Sequence, residues 1–320
     1  MSQYVITAIA HADKIEPAAF MELTRFIESL PIKINNIKTL SEDRVFDISC
    51  SLVFSDNEST QEHEYDIFAK IKEAILEWEN GDKIDLIFQK QDEYRQDKRL
   101  VIFDMDSTLI YQEVIELIAA YAGVEDEVEK ITTAAMNGEI DFKESLARRV
   151  KLLKGIDGTI WEDLKKKLQF TKGDFELTKA LKAKGCKLAV LSGGFIELAN
   201  FVKETLGLDY AYANNLNTEI NSEGKKVFNG ETIGDIVDGN KKAELVQFIA
   251  DKESIELRAA MAVGDGSNDL PMMGVSGFGV AWNAKPRVQR LAPSKLNTDK
   301  ISDILYILGH TDEEIKELLK

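Results

Sequence analysis

The stretch that decides the fold is Arg99-Leu100-Val101-Ile102-Phe103-Asp104-Met105-Asp106-Ser107-Thr108. Its first half is a short apolar run rich in branched side chains, which predicts a strand buried on both faces of a parallel sheet. Asp104 and Asp106 follow two residues apart, so they are expected to point into one crevice. Ligands bind in that crevice, outside the carboxyl ends of the strands, in open α/β sheets. Two carboxylates so close together are costly unless something offsets them, and a bound divalent cation is the usual solution.

An N-cap aspartate beside a turn aspartate would also explain this pair, so the rest of the chain has to decide. From Arg99 onwards strands alternate with helices, which predicts an α/β fold with a doubly wound parallel sheet. A long helical insertion, at about 112–170, directly follows the acidic pair and is well placed to act as a cap or lid. The predicted strands and a later hairpin are Leu100–Phe103, Lys187–Leu191, Tyr210–Ala213, Ala259–Val263, Gly279–Val280, and Leu216–Ile220 with Lys225–Phe228.

Residues 1–91 show a different pattern, in the order strand, helix, strand, strand, helix, strand. This βαββαβ order is that of a ferredoxin-like sandwich. The polar stretch Lys90–Lys98 predicts a linker at 92–98, and hence a second domain at 99–320. The predicted strands are Tyr4–Ala10, Ile32–Thr39, Val45–Phe54 and Ile84–Gln89, and the helices are Ala18–Leu30 and Glu62–Glu79.

Three further segments carry residues suited to an anion or a metal. Ser192-Gly193-Gly194 follows a predicted strand, where small residues let backbone N–H groups approach an anion and the hydroxyl adds a donor. Gly264-Asp265-Gly266-Ser267-Asn268-Asp269 also follows a strand, and its carboxylate oxygens suit Mg²⁺. Lys241-Lys242 opens a helix and supplies compact charges suited to phosphate. Taken singly, these segments would also fit a strand–turn–helix junction, an Asp/Gly-rich turn and a solvated lysine pair.

Composition limits the classes of function. The chain has 320 residues, 44% of them hydrophobic, which is enough for two domains with sizeable cores. A net charge of −16 argues against nucleic acid or an anionic membrane as a partner. The chain shows neither a long apolar run nor a secretory signal, and Cys50 and Cys186 lie in apolar strand-like runs, so we expect a cytoplasmic protein with reduced thiols. The three histidines lie outside every motif, which argues against histidine-based chemistry.

In this order the acidic pair and the three segments resemble the haloacid dehalogenase superfamily of phosphohydrolases, over residues 99–320. Within that superfamily the chain is similar to the phosphoserine phosphatase family. The closer likeness rests on segments typical of that family's cap: Asp106-Ser107-Thr108-Leu109-Ile110 with Glu113-Val114-Ile115, Ile131-Thr132-Thr133-Ala134-Ala135-Met136-Asn137-Gly138, and Phe142-Lys143-Glu144-Ser145-Leu146 through Arg148-Arg149-Val150.

The resemblance implies a role for each carboxylate. Asp104 would be the nucleophile that forms an aspartyl-phosphate, since a metal can orient and neutralise an otherwise weak nucleophile. Asp106 would be the general acid for the leaving alkoxide and then the base for the attacking water. The Asp104 carboxylate, the backbone carbonyl of Asp106 and Asp265 would hold Mg²⁺. Asp269 would orient Lys242 or a metal-bound water.

The resemblance also assigns the substrate contacts. Ser192, the Gly193 N–H group and Lys242 would bind the transferring phosphoryl oxygens, and Asn268 would contact the phosphate or the substrate. In the cap, Glu113 fits the ammonium group of O-phospho-L-serine. The remaining expected contacts are Arg149 on the carboxylate, with Arg148 as the adjacent candidate, and an apolar wall of Met136 and Phe142.

The N-terminal βαββαβ order resembles ACT-like domains, which often pair into dimers and sometimes bind amino acids. Amino-acid-binding members usually carry an Asp and a Gly in the first strand–helix loop. The loop here, His11–Pro17, has no glycine, which argues against amino-acid sensing. Homodimerisation or a scaffold role is therefore the expected function of this domain.

The resemblance implies a Mg²⁺-dependent phosphatase that hydrolyses O-phospho-L-serine to L-serine and phosphate, the last step of serine biosynthesis. Two alternatives stay open: a phosphatase of another small phosphate ester, and an amino-acid-binding regulator with an inactive phosphatase domain. A substrate without a carboxylate would leave Arg149 without a partner. An inactive copy would have no need of the carboxylates and Lys242 together.

Overall fold

The computed structural model describes residues 3–54, 61–78, 83–136 and 139–320. Its larger sheet has seven strands in the order β11-β10-β9-β5-β6-β7-β8, parallel except for the β7–β8 pair. The predicted α/β fold with a parallel sheet is therefore confirmed. The strands are β5 Leu100–Phe103, β6 Lys187–Phe195, β7 Tyr210–Ile220, β8 Lys226–Ile233, β9 Ala260–Gly264, β10 Phe278–Trp282 and β11 Ser294–Leu296.

β5 lies in the middle of this sheet, and its burial explains its sequence. It pairs with β9 on one side and β6 on the other, and all four of its side chains are buried. Because neighbouring strands are parallel, their carboxyl ends meet at one edge of the sheet. Asp104, Ser192 and Gly264 lie at this edge, as the sequence predicts.

Helices cover both faces of the sheet and form the insertion after β5. The predicted insertion is helical and consists of α4 Val114–Ala122, α5 Glu125–Met136, α6 Phe142–Leu152 and α7 Trp161–Lys165. An isolated bridge between Ile110 and Phe170 joins the two chain segments that lead into and out of it. The remaining helices are α8 Asp174–Ala183, α9 Ile196–Leu206, α10 Gly239–Glu253, α11 Leu270–Val275, α12 Pro286–Leu291, α13 Ile304–Ile307 and α14 Asp312–Leu318.

The N-terminal region forms an antiparallel sheet of four strands in the order β2-β3-β1-β4. The predicted order of strands and helices is observed, although Glu79, the last residue of the second predicted helix, lies outside the described residues. The elements are β1 Tyr4–Ala10, α1 Pro17–Ser29, β2 Ile32–Ser41, β3 Val45–Leu52, α2 Gln61–Glu77 and β4 Ile84–Lys90.

The two faces of this small sheet belong to two different cores. One face packs against α1 and α2 in a cluster that includes Tyr4, Ile6 and Ile48. The opposite face contributes Ile9 and Ile87 to the main core of the α/β region. The sheet is therefore covered on one side by its own helices and on the other by the rest of the chain.

Residues 92–98, the predicted linker, contain a short helix, α3 Glu93–Gln96, whose Arg95 is 3% exposed. Its guanidinium donates to Asp47 at 2.8 Å, to Thr7 at 3.1 Å and to the backbone carbonyl of Ile307 at 3.0 Å. A buried arginine with its donors paired to both sides fixes the segment in place. Although its composition is polar, this stretch is therefore held in place between the N-terminal sheet and the α/β region.

A buried carboxyl group at the start of α8, Asp174, gives the fold a pH dependence. One of its oxygens accepts a hydrogen bond from the Phe175 N–H group at 2.6 Å, and the other has no partner among the described residues. Burial raises the pKa of Asp174 to about 7. The folded chain thus holds a proton that the unfolded chain releases near pH 4, so the free energy of unfolding falls as the pH rises from about 4 to about 7.

We therefore expect Asp174→Asn to be more stable than the wild type at pH 8, on the order of 1 kcal/mol, with a smaller difference at pH 5. Asparagine keeps the hydrogen-bond acceptor and removes the buried charge. Urea unfolding at both pH values measures the effect. A difference between the two proteins that is the same at pH 5 and pH 8 would show that ionisation of Asp174 is not its cause.

Candidate active site

Three carboxylates converge at the carboxyl edge of the large sheet. Asp104 follows β5, whereas Asp265 and Asp269 follow β9, and one oxygen of each lies within 4.8 Å of the others. The Thr108 hydroxyl donates to Asp265 at 3.2 Å, and the Gly266 N–H group donates to Asp269 at 2.9 Å. The structure therefore brings together two of the predicted metal-ligand carboxylates, Asp104 and Asp265, with Asp269 as a third.

Lys242 lies behind this cluster and is fully buried. Its Nζ donates to Asp104 and to Asp269, both at 2.7 Å. Burial alone would lower the pKa of this ammonium group, but the two carboxylates outweigh burial and raise it. Of the two roles predicted for Asp269, the structure shows the contact with Lys242.

Gly264 permits this close packing. A Cβ at this position would lie 2.3 Å from Asp269 Oδ2, closer than real contacts allow. The glycine is therefore required for the approach of the Asp269 carboxylate to the end of β9. This is the physical reason for a glycine before Asp265.

Asp106 faces the same crevice from the turn after β5. Its Oδ2 accepts a hydrogen bond from the Val114 N–H group at 3.3 Å, and its Oδ1 is buried without a partner among the described residues. Burial, followed by Glu113 and Asp104, raises the pKa of Asp106 well above its ordinary value. A raised pKa favours the protonated carboxyl group, which is the form that can donate a proton.

The other two carboxylates at the edge of the sheet are shifted in the same direction. Burial, followed by the charge of Asp269, raises the pKa of Asp104 well above its usual range despite the ion pair with Lys242. The same two causes raise the pKa of Asp265 to about 7. If all three carboxylates of the cluster ionise, they carry more negative charge than Lys242 alone offsets, so the ionised cluster favours a bound cation.

The Ser192-Gly193-Gly194 segment forms the end of β6 beside the carboxylates. Ser192 is fully buried, and its Oγ accepts a hydrogen bond from the Gly194 N–H group at 2.8 Å. A Cβ on Gly194 would lie 3.0 Å from this Oγ and 3.2 Å from Asp106 Oδ2, so the hydroxyl and the carboxylate flank one point. Asn214 secures the segment because its Nδ2 donates to the Gly193 carbonyl at 2.8 Å.

The cap supplies the opposite wall. Glu113, Phe142 and Arg149 line one cavity of about 510 Å³ together with Asp104, Asp106, Gly193, Asp265 and Asn268. Arg149 is half-buried, whereas Arg148 is exposed and pairs with Glu144 at 2.5 Å. The structure therefore places Arg149, and not Arg148, at the cavity.

Some of the predicted site residues do not line this cavity in the described part of the chain. Asn137, Gly138 and the side chain of Met136 lie outside the described residues. Ser192 and Lys242 lie behind the cavity wall and reach it through Gly194 and Asp104, which do line it.

Among the residues that the prediction misses, Thr108 and Asn214 hold site residues in place. The pair Asn214-Asn215 stands directly after the predicted strand Tyr210–Ala213. Polar residues at a predicted strand end indicate a site in the same way as Asp104 and Ser192 do, and this pattern identifies Asn214 as a candidate support.

This geometry, with carboxylates at the ends of β5 and β9 and the Ser192-Gly193-Gly194 segment at the end of β6, agrees with the comparisons. Residues 98–277 match the model of the haloacid dehalogenase-like hydrolases. The phosphoserine phosphatase of Saccharomyces cerevisiae is 48% identical over 98% of this chain and 99% of its own length. The chain therefore belongs to the phosphoserine phosphatase family of haloacid dehalogenase-like hydrolases, as the sequence motifs indicate.

Two solved structures are also similar. A probable phosphoserine phosphatase from Vibrio cholerae, in an unliganded form, is 30% identical and covers 99% of this chain and 89% of its own, with a TM-score of 0.65. A phospho-aspartyl intermediate analogue of phosphoserine phosphatase is 42% identical and covers 65% of this chain and 98% of its own, with a TM-score of 0.59.

Among the described residues, no helix is both long and apolar enough to span a bilayer.

Proposed function

We propose that this protein is a Mg²⁺-dependent phosphatase that hydrolyses O-phospho-L-serine through an aspartyl-phosphate at Asp104. The observation that carries the proposal is the shared cavity. This cavity of about 510 Å³ is lined by both carboxylates of the Asp104–Asp106 pair, by Gly193, and by Glu113 and Arg149 of the cap. A phosphate, an ammonium group and a carboxylate thus each find a complementary partner there. The names of the relatives, phosphoserine phosphatases, support the same substrate.

The acidic cluster fits Mg²⁺. Its donors are all oxygens, which Mg²⁺ prefers, and the buried Oδ1 of Asp106 has no partner among the described residues. On the family likeness we assign the metal to Asp104, Asp265 and the backbone carbonyl of Asp106, with Asp269 as the residue that orients Lys242. When bound, the cation supplies positive charge that offsets the carboxylates and the phosphate.

The first step transfers the phosphoryl group to the protein. A carboxylate oxygen of Asp104 attacks phosphorus, and the bond between phosphorus and the serine oxygen breaks. Asp106, whose raised pKa favours its protonated form, donates its proton to that oxygen. The Gly193 N–H group and Asn268, both at the cavity wall, contact the phosphoryl group. Ser192 and Lys242 stabilise the charge on its oxygens from just behind that wall.

The second step regenerates the carboxylate. A water molecule attacks phosphorus in the aspartyl-phosphate and gives its proton to Asp106. The bond between phosphorus and the Asp104 oxygen breaks, which releases phosphate and restores both side chains to their starting states. The cap limits the access of bulk water, since Phe142 lies against Gly193 and an added Cβ on that glycine would come within 3.0 Å of its ring.

Arg149 sets the preference for a substrate with a carboxylate. Its Nε donates to the Ser145 carbonyl at 3.3 Å, which orients the guanidinium, and burial lowers its pKa. Glu113, held by the Ser107 hydroxyl at 2.9 Å, offers a partner for the substrate ammonium group. A forked guanidinium matches a carboxylate with two parallel hydrogen bonds.

We expect Arg149→Ala to lower kcat/KM for phosphoserine by about 10- to 150-fold, since the loss of a charge-assisted pair costs roughly 1.5–3 kcal/mol. Hydrolysis of phosphoethanolamine, which lacks the carboxylate, should change much less. Arg148→Ala is the matched control and should leave both rates near those of the wild type. Equal losses on both substrates for Arg149→Ala would mean that the residue supports the fold of the cap and does not select the substrate.

A panel of phosphate esters tests the proposed function. We expect phosphate release from O-phospho-L-serine with Mg²⁺ and almost none after chelation, and slower release from phosphoethanolamine and sugar phosphates. Preference for another ester would assign the same chemistry to a different substrate. No release from any ester with Mg²⁺ would favour an inactive phosphatase domain.

We further propose that residues 1–91 form a separate domain outside the chemistry, whereas 99–320 carry it. All residues assigned above to the substrate or the metal follow Arg99. The edge strand β2 supports a role in homodimerisation, because among the described residues its backbone has no partner strand on one side, and Ile34 and Ile37 are exposed. The paired contacts of Arg95 connect this domain to the remainder of the chain.

A chain that begins near Asp92 should keep turnover within about tenfold of the full-length protein and should melt at a lower temperature. The lower melting temperature follows because removal of β1 and β3 exposes apolar surface and leaves Arg95 without Asp47. Phosphoserine turnover, calorimetry and the mass in solution measure the three effects, and we expect the truncated chain to be monomeric. A folded truncated chain that binds Mg²⁺ and hydrolyses nothing would give residues 1–91 a part in the active site.

A further inference from the structure

A second cavity, of about 480 Å³, lies between the N-terminal sheet and the α/β region. Its walls come from α2 and β4 on one side and from the segments just before β5, β9 and β10 on the other. These are the amino ends of the parallel strands. The catalytic residues lie at the carboxyl ends, so the two cavities are at opposite edges of the large sheet.

The lining of this cavity is cationic in a chain whose net charge is −16. Five basic side chains line it and one acidic side chain does: Lys72, Lys90, Arg95, Lys98 and Arg258, with Asp92. Two of the five are already paired with carboxylates, since Arg95 binds Asp47 at 2.8 Å and Lys90 lies 3.8 Å from Glu64. The other three form no ion pair with any carboxylate in the described part of the chain.

Lys98 is the most unusual of these three. It is 4% exposed, and its Nζ donates to the Arg258 carbonyl at 3.1 Å. Burial lowers the pKa of Lys98 to about 8, even though the charge of Asp92 acts in the opposite direction. A buried ammonium group without a counterion is costly, so a structure that keeps one gains from an added anion.

Lys72, on the opposite wall, is also a lysine without a paired carboxylate among the described residues. It is half-buried on α2, has no hydrogen bond or ion pair within residues 3–54, 61–78, 83–136 and 139–320, and burial lowers its pKa. Arg258 is exposed at the rim. Apolar rings of Phe68 and Phe88 line the space beside these charges.

We propose that this interdomain cavity binds a small molecule bearing a carboxylate or phosphate group, which Lys72, Lys98 and Arg258 hold. The cavity is large enough for a metabolite. Its basic side chains attract an anion, whereas the net negative charge of the chain repels one elsewhere. This cavity is separate from the proposed substrate site. The proposal is therefore independent of whether the chain hydrolyses phosphoserine. Because its walls come from both parts of the chain, a bound anion would also join them.

The full-length protein tests this proposal with two probes, sulfate for the phosphate arm and malonate for the carboxylate arm. Isothermal titration calorimetry should show that Lys72→Met binds the tighter probe at least about tenfold more weakly than the wild type. Lys70→Met is the matched control, because Lys70 lies on the same helix, is exposed and does not line the cavity. It removes the same charge and should leave the affinity unchanged. The probe that binds more tightly shows whether the site prefers a phosphate or a carboxylate group.

Equal affinities in Lys70→Met and Lys72→Met would overturn the proposal, because the anion would then respond to net charge or occupy the catalytic site. Binding of neither probe to the wild type would overturn it as well. Arg258→Gln is a second variant at an exposed position, so its fold should survive, and it should also weaken binding. Phosphoserine hydrolysis is measured on the same samples, so a failure of the anion site is distinguishable from a failure of the proposed function.

Discussion

Asp104→Asn should lower turnover of phosphoserine by about a thousandfold or more while the fold survives. The amide keeps the size of the side chain but cannot form the acyl-phosphate, and the loss of a nucleophile removes most of an enzyme's rate enhancement. The fold should tolerate the change because it reduces the crowding of charge around Asp265 and Asp269, and Lys242 keeps Asp269 as a counterion. Phosphate release and thermal melting measure the two effects.

The matched control is Asp235→Asn, which removes a charge from an exposed carboxylate paired with Lys241 at 3.0 Å. It should hydrolyse phosphoserine at the wild-type rate. Turnover by Asp104→Asn within tenfold of the wild type would contradict the assignment of the nucleophile. Asp106 would then be the next carboxylate to test.

Lys242→Met should abolish turnover and also destabilise the protein. The ammonium group is fully buried between Asp104 and Asp269, at 2.7 Å from each, and both carboxylates would lose their counterion. Removal of one partner from a buried ion pair costs about 3–5 kcal/mol. Urea unfolding at pH 7 measures the loss of stability, and phosphate release measures the loss of activity.

The adjacent residue provides the control for this variant. Lys241 pairs with Asp235 and Glu244 at the surface, where an ion pair contributes about 1 kcal/mol or less. Lys241→Met should therefore change stability little and leave turnover intact. If Lys242→Met unfolded at the same urea concentration as Lys241→Met, the buried ion pairs would not carry the stability assigned to them.

Much of this site is predictable because the chemistry lies where strands end. The β5 sequence is apolar on both faces because both faces are buried, and its end fixes the position of Asp104. The same reasoning identifies Ser192 and Asp265, since parallel strands bring their carboxyl ends to one edge. The assignment of Glu113 and Arg149 rests on the family likeness, because neither charge differs locally from a solvated helix residue.

The features that are harder to predict depend on contacts between distant parts of the chain. Residues 92–98 look like a solvated linker, yet Arg95 is buried because Asp47 and Thr7 of the N-terminal sheet accept its hydrogen bonds. Strand β11, Ser294–Leu296, has only three residues and no apolar alternation, and it forms because β10 lies parallel beside it. No local pattern marks either feature.

Covalent labelling tests the central proposal most directly. The full-length protein is mixed with Mg²⁺ and phosphoserine labelled with ³²P, quenched in acid during turnover, and digested. We expect a labelled peptide whose phosphate is attached to Asp104, no label in Asp104→Asn, and much less label when phosphoethanolamine replaces phosphoserine at the same low concentration. Rapid release of phosphate without a labelled peptide, or with the label on another residue, would contradict the aspartyl-phosphate at Asp104.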